Sequence, residues 1–183
     1  MKLSPYTLLT LLLACGHTSS GSGGSGSASV TGTVSGNSIP TSDTIGVRGT
    51  TTDNGPLQPV AGALLTNVGN VCGILQNDGN PASSQVLDVR VVGASGDVTT
   101  GTYMLNGPGG IGGAVSLLLQ DQSCNPTLHS TATQGSVTLT TASSVTVAGS
   151  FDVTFPTGDH VTGTFSGPVC TFNTLDAATP TCQ

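Results

Sequence analysis

Tryptophan and glutamate are absent from this chain, and lysine and arginine together number 3 in 183 residues. All 9 acids are therefore aspartates, and the only bases are Lys2, Arg48 and Arg90. With a formal net charge of -6 there is almost nothing to neutralise a phosphate backbone, which argues against nucleic acid as a partner. Glu, Lys and Arg are also good helix formers, so their scarcity beside abundant Thr, Val, Ser and Gly favours strands and turns. Aromatic residues make up only 3%. Glycine, at 27, is well above its usual share, yet no G-X-Y period runs through it and a collagen-like chain is excluded. What remains is an all-β protein of the secreted kind.

The opening MKLSPYTLLTLLLAC has one Lys, then a leucine-rich run too short to span a bilayer, then a small residue. Residues 1-14 are expected to be a signal peptide. Leu12-Leu13-Ala14-Cys15 resembles the bacterial lipobox, and the resemblance implies that Cys15 becomes the lipid-bearing N-terminus of the mature chain. Removing Cys15 from the 5 cysteines leaves Cys72, Cys124, Cys170 and Cys182, an even set suited to two disulfides in an oxidising compartment. Residues 15-29 then read as the attachment Cys and a Gly/Ser-rich tether with a root-mean-square reach of roughly 20 Å. Gly16 is not the Asp of inner-membrane retention, so the lipobox analogy implies an outer-membrane or cell-surface site.

Residues 30-183 are expected to form a single β domain. Val137 and Leu139, then Val145, Val147, Phe151, Val153 and Phe155, then Val161, Phe165 and Val169 all occupy odd positions, with Ser, Thr and Asp between them. This is the period of a half-buried antiparallel meander. Further strands are expected near Val30 to Val34, Ile45 to Thr51, Ala63 to Cys72, Val86 to Val92, Gly101 to Leu105 and Val115 to Gln120. Eight or nine strands suit a β-sandwich or a closed barrel, which periodicity cannot separate. One helical turn fits within Gly73 to Pro81. Gly149, Gly163 and Gly167 fall on the inward face, which needs a ring or a bulge to cover them, and Phe151, Phe155 and Phe165 are available. If apolar residues pair with apolar residues, Phe155 opposes Val161 and Phe151 opposes Phe165.

Gly101-Thr102-Tyr103, Cys124, GSVTLT and the string GSFDVTFPTGDHVTGTFSGPVC together resemble a group of uncharacterised predicted lipoproteins of myxobacteria and related bacteria. The likeness covers roughly residues 60 to 183. That group has no known activity, so the resemblance implies no catalytic residue.

Motifs with chemical meaning are few. Gly107-Pro108-Gly109-Gly110-Ile111-Gly112 matches G-x-G-x-x-G, but a dinucleotide fingerprint needs a helix next, and Gly113 onward reads as strand. Asp159 and His160 are an adjacent carboxylate and imidazole, yet neighbours in a strand point apart, and the bland reading is a turn around Gly158. Asp88 and Arg90 are expected on the outward face of one strand, and Arg48 outward on another, as surface charges. Asp43, Asp53, Asp78, Asp97, Asp121 and Asp176 fall in expected loops without calcium-loop spacing. No zinc motif and no cofactor motif stands out.

Strand counting orders the cysteines. Three crossings from Cys72 put Cys124 at the opposite end of a meander, and three more bring Cys170 back to the end where Cys72 sits. Disulfides need Cα atoms within about 7 Å, so the expected bridges are Cys72 with Cys170 and Cys124 with Cys182. A local Cys170 with Cys182 bridge is the rival. The functional expectation is a lipid-anchored envelope protein, non-catalytic, whose Thr/Ser face meets an envelope protein or a glycan, with the membrane reached through the lipid. Alternatives are a barrel holding a small apolar ligand and a hydrolase using Asp159 and His160.

Overall fold

The computed structural model describes Leu11–Leu12 and residues 25–39, 41–51, 57–171 and 181–183, so Cys15, Asp53 and Asp176 lie outside the described residues. The strands are β1 (Leu11–Leu12), β2 (Ser27–Thr31), β3 (Thr33–Val34), β4 (Asn37–Ser38), β5 (Asp43–Thr51), β6 (Gln58–Thr66), β7 (Gly79–Asn80) and β8 (Gln85–Val92). They continue as β9 (Gly101–Met104), β10 (Gly112–Gln120), β11 (Pro126–Thr131), β12 (Gln134–Ala142), β13 (Thr146–Thr154), β14 (His160–Pro168) and β15 (Thr181–Cys182). Helix α1 (Val71–Gln76) and a 3-10 turn at Pro108–Gly110 complete the elements. The all-β expectation holds.

A 6-stranded antiparallel sheet runs in the order β1-β5-β6-β8-β10-β11, and a 5-stranded one in the order β2-β14-β13-β12-β9. Two small two-stranded sheets, antiparallel β3-β4 and parallel β15-β7, stand beside them. Among the described residues no sheet closes into a barrel. Alternation puts Ala61, Ala63, Leu65, Leu87, Val89, Val91, Val115 and Leu117 of the larger sheet into one core cluster. Val137, Leu139, Val147, Phe151, Val153, Val161 and Phe165 of the smaller sheet enter the same cluster. Fully burying a Val, Leu or Phe side chain stabilises the fold by about 1.5 to 3 kcal/mol. At one seam Gly46 bridges to Val169, and a Cβ on Gly46 would stand 2.8 Å from Gly167 O. Only glycine lets the backbones approach so closely there.

The meander β12-β13-β14 forms as the odd-position pattern requires, with two corrections. Val145 is 70% exposed, because β13 begins at Thr146 and Val145 belongs to the hairpin tip. The register of β13 on β14 is also two residues away from the expected one: Val153 faces Val161, Phe151 faces Gly163 and Gly149 faces Phe165. The turn decides this. Gly158, at φ 88, donates its N–H to Phe155 O (2.9 Å), and Phe155 N–H donates to Asp159 O (2.9 Å), so Phe155 is spent closing the loop. The rings of Phe151 and Phe165 then each lie over a glycine of the neighbouring strand. A Cβ on Gly163 would stand 2.6 Å from Phe151 Cζ, and one on Gly149 would stand 2.9 Å from Phe165 Cζ. The expectation that rings cover the inward glycines holds for Gly149 and Gly163 and excludes ring against ring, whereas Gly167 is covered by the β5 backbone, a Cβ there standing 2.7 Å from Gly46 N.

Upstream, the strand expected from Ala63 to Cys72 ends at Thr66, and Val71 and Cys72 open α1. The helical turn expected within Gly73 to Pro81 thus starts earlier and stops at Gln76. Asn70 at its N-terminus is left-handed (φ 57) and supplies no side-chain cap. Buried Asp43 supplies the acceptor instead: its Oδ2 takes the Val71 N–H at 3.0 Å while Oδ1 takes the Thr44 N–H at 2.8 Å. Asp43 is therefore strand, not loop. Helix α1 covers the outer face of the larger sheet, where Ile45, Val71 and Cys170 form a second cluster with Leu64, Cys72 and Leu75. Strand β11 carries too little apolar alternation to have been anticipated. Strand β2 begins at Ser27, so the last three residues of the expected tether, Ser27 to Ser29, belong to a sheet.

Both expected disulfides are present, Cys72–Cys170 with Cα atoms 5.7 Å apart and Cys124–Cys182 with Cα atoms 5.8 Å apart. The premise was too regular all the same. Between β8 and β10, which are neighbours in one sheet, β9 pairs with β12 in the other, so the chain is not a single meander.

Candidate functional site

Asp159 and His160 sit where the β13-β14 hairpin turns, and the backbone sends them apart. Asp159 Oδ2 accepts the Ser35 N–H (2.7 Å) and the Thr157 hydroxyl, tying the β3-β4 hairpin to this turn. These bonds, the Thr157 hydroxyl first and the Ser35 amide second, hold the Asp159 carboxyl below its ordinary value of 3.8. His160 Nε2 lies 2.7 Å from Asp152 Oδ1, and both side chains are exposed, at 59% and 70%. Asp152 was not singled out from the sequence as a partner for His160. The signal was the register: Thr154 faces His160, which puts Asp152 one diagonal step away on the same face. The two residues thus serve a turn lock and a surface pair, each with its own partner.

The remaining candidates fall apart in the same way. The glycine loop forms its 3-10 turn and leads directly into β10, so no helix N-terminus follows it to receive a phosphate. Arg90 Nε is 3.3 Å from Asp88 Oδ2, and these side chains are only 19% and 16% exposed, more sheltered than a surface pair was expected to be. Arg48 corrects the expectation of an outward side chain. It faces Ala61, on the core side of the sheet, and reaches Asp97 at 3.2 Å. Asp121 is an Asx turn: Oδ1 accepts the N–H groups of Ser123 (2.8 Å) and Asn125 (2.9 Å). Asn125 first and Ser123 next hold the Asp121 carboxyl below its usual range. Among the described residues, no three of His, Cys, Asp or Glu come together in a metal-binding group.

One extended feature is organised by the pairing itself, the outer face of the 5-stranded sheet. Register aligns Ser29, Thr164, Ser150, Thr138 and Thr102 in a row across all its strands. The next row is Thr31, Thr162, Asp152, Ser136 and Met104, and His160 and Thr154 begin a third. Neighbouring side chains in such rows are about 5 Å apart. Thr102 and Thr138 hydroxyls are bonded at 2.9 Å. The rows carry hydroxyls, one carboxylate, one imidazole, the exposed Met104 and no Lys or Arg, so the face can form many neutral hydrogen bonds and attracts no anion. Sequence alternation showed that such a face exists, but not which residues lie side by side.

A scan against protein-family models finds no match, and neither the curated proteins nor the solved structures contain one. The likeness to predicted myxobacterial lipoproteins therefore rests on the sequence strings alone.

Proposed function

We propose that this chain is a lipid-anchored protein of the bacterial cell envelope, a non-catalytic module that meets a glycan or an envelope protein through the outer face of its 5-stranded sheet. The observation that carries the reading is the aligned row Ser29, Thr164, Ser150, Thr138 and Thr102. In this reading the two large sheets are the layers of a β-sandwich, for which their shared core cluster is the support. The rival of an apolar ligand inside a barrel needs a closed sheet, and among the described residues the sheets stay open, which favours the first reading. A hydrolase based on Asp159 and His160 has its two groups committed to different partners.

Localisation in this proposal follows from the lipobox: residues 1-14 are removed and the two-residue edge strand β1 with them, Cys15 carries the lipid, and the residues between Cys15 and Gly26, whose N–H is bound to Thr44 O, are the tether. Replacing Cys15 with Ser is expected to abolish labelling by radioactive palmitate, and persistent labelling refutes the anchor. For the contact face, the soluble form from Gly16 onward is incubated with washed envelope fractions beside a variant carrying Thr138→Lys, Ser150→Lys and Thr164→Lys. Retention by the envelope that the three lysines abolish supports the face. Equal retention of both forms, with circular dichroism confirming that both are folded, places the contact elsewhere.

A further inference from the structure

The two disulfides stand in opposite surroundings. Cys170 is 3% exposed and Cys72 half-buried, and both lie within the apolar cluster of Ile45, Val71, Leu64 and Leu75. Cys182 is exposed and Cys124 half-buried, with no apolar cluster around them among the described residues. Exchange requires a thiolate to reach a sulfur in line with the S–S bond, so accessibility separates the two.

The chain on either side of the exposed bridge is held very unequally. On the Cys124 side, Asp121 accepts the Ser123 and Asn125 N–H groups, Cys124 N–H donates to Asp121 O (3.0 Å), and Gln120 Nε2 donates to Cys124 O (3.1 Å). That turn is a closed set of bonds within six residues and does not depend on the disulfide. On the Cys182 side, Thr181, Cys182 and Gln183 are all exposed. They are attached by the two-residue pairing of β15 with β7 and by backbone hydrogen bonds from Thr181 N–H to Asp78 O (3.1 Å), Gln183 N–H to Asn80 O (2.9 Å) and Ala82 N–H to Gln183 O (2.6 Å). A two-residue parallel pairing without core packing opens easily once its covalent tie is gone.

We propose that Cys124–Cys182 is a thiol-exchange site, through which a dithiol reductant detaches β15 from β7 while Cys72–Cys170 keeps the rest of the fold closed. A thiolate of the reductant attacks the more accessible sulfur, that of Cys182. The Cys124–Cys182 S–S bond breaks, a mixed disulfide forms on Cys182, and Cys124 leaves as a thiolate that takes up a proton. The second thiol of the reductant, after losing its proton, attacks its own sulfur in the mixed disulfide. It closes the reductant's disulfide and releases Cys182 as a second thiolate, which is protonated in turn. Two electrons and two protons pass to the protein, and the dithiol is oxidised. Cys124, held by its turn, stays placed to re-form the bridge by the reverse exchange, in which a disulfide oxidant is reduced to its dithiol.

The test uses the full folded chain, with free thiols blocked first so that Cys15 is silent, and dithiothreitol as the dithiol. After timed exposure without denaturant, newly formed thiols are alkylated and located by peptide mass spectrometry. Cys124 and Cys182 should be labelled together, at least tenfold faster than Cys72 and Cys170. Hydrogen exchange at the amides of Ala82, Thr181 and Gln183 should rise at least tenfold on reduction, while Val153 and Val161 keep their protection. Labelling of all four cysteines at one rate overturns the proposal, as does reduction of Cys124–Cys182 with exchange at those three amides unchanged. The double variant Cys124→Ser with Cys182→Ser should show the same raised exchange without any reductant.

Discussion

Adding one methyl group at Gly163 tests the register on which the smaller sheet depends. A Cβ there would stand 2.6 Å from Phe151 Cζ, 2.8 Å from Phe151 Cε1 and 2.7 Å from Ser29 O. Contacts this short force the buried ring and the β2 backbone to move, and overpacking of a well-filled core costs about 1 to 3 kcal/mol. The opposing gain, from replacing glycine inside a strand, is about 0.5 to 1 kcal/mol. Those two ranges net to about 0 to 2.5 kcal/mol, and because the Ser29 carbonyl is backbone and yields little, Gly163→Ala should destabilise by about 1 to 2 kcal/mol. Phe151→Leu alone should cost about 1 to 2 kcal/mol, less than the full truncation of a buried ring. Because the shorter side chain vacates the space the new methyl needs, the double variant should be more stable than the sum of the single losses by about 1 kcal/mol. Urea unfolding followed by far-ultraviolet circular dichroism measures all three, tryptophan fluorescence being impossible in a chain without Trp. Strict additivity within about 0.5 kcal/mol, or a Gly163→Ala chain as stable as the parent, refutes the ring-on-glycine arrangement.

Three other outcomes follow from the same structure. Asp43→Ala leaves the buried Val71 and Thr44 N–H groups without their acceptor and should cost about 1 to 3 kcal/mol in urea unfolding. Asp43→Asn, with one carbonyl oxygen for two donors, should fall between, and equal losses for both variants would refute the capping role. Replacing Cys72 and Cys170 by Ala opens a loop of 98 residues and should lower stability by about 4 to 5 kcal/mol in the chain-entropy model; an unchanged urea midpoint refutes this. Asp121 and Asp159 have folded-state pKa values depressed below 3.8, so their stabilisation is present above that value and is lost as the pH falls through the lower folded values. The urea midpoint should drop as the pH falls below about 4, and less steeply in Asp159→Asn and Asp121→Asn; identical slopes in parent and variants refute the assignment.

The sequence by itself determined the class of structure, because a chain without Glu and nearly without Lys or Arg has little to build helices from, and because period two is a local property. It marked the inward residues of β12, β13 and β14, the turn at Gly158 and the even set of cysteines. It also pointed to the correct bridges, since disulfide partners must meet at the same end of a sheet whichever sheet each strand joins. Tertiary structure decided the rest. Alternation says which face a residue takes but not who stands opposite, so the choice between ring against ring and ring over glycine waited for the turn that spends Phe155 on closure. The outer face of the larger sheet reads as polar around Asp88 and Arg90, yet Ile45 and Leu64 lie under α1, and Arg48 turns to the core side. Those outcomes depend on elements brought together over 28 residues in the case of Asp43 with Val71 and 98 in that of Cys72 with Cys170. The candidate face has the same origin: each strand supplies only one or two of its hydroxyls, and their alignment into rows exists only after five strands, the first and last far apart in the chain, have paired.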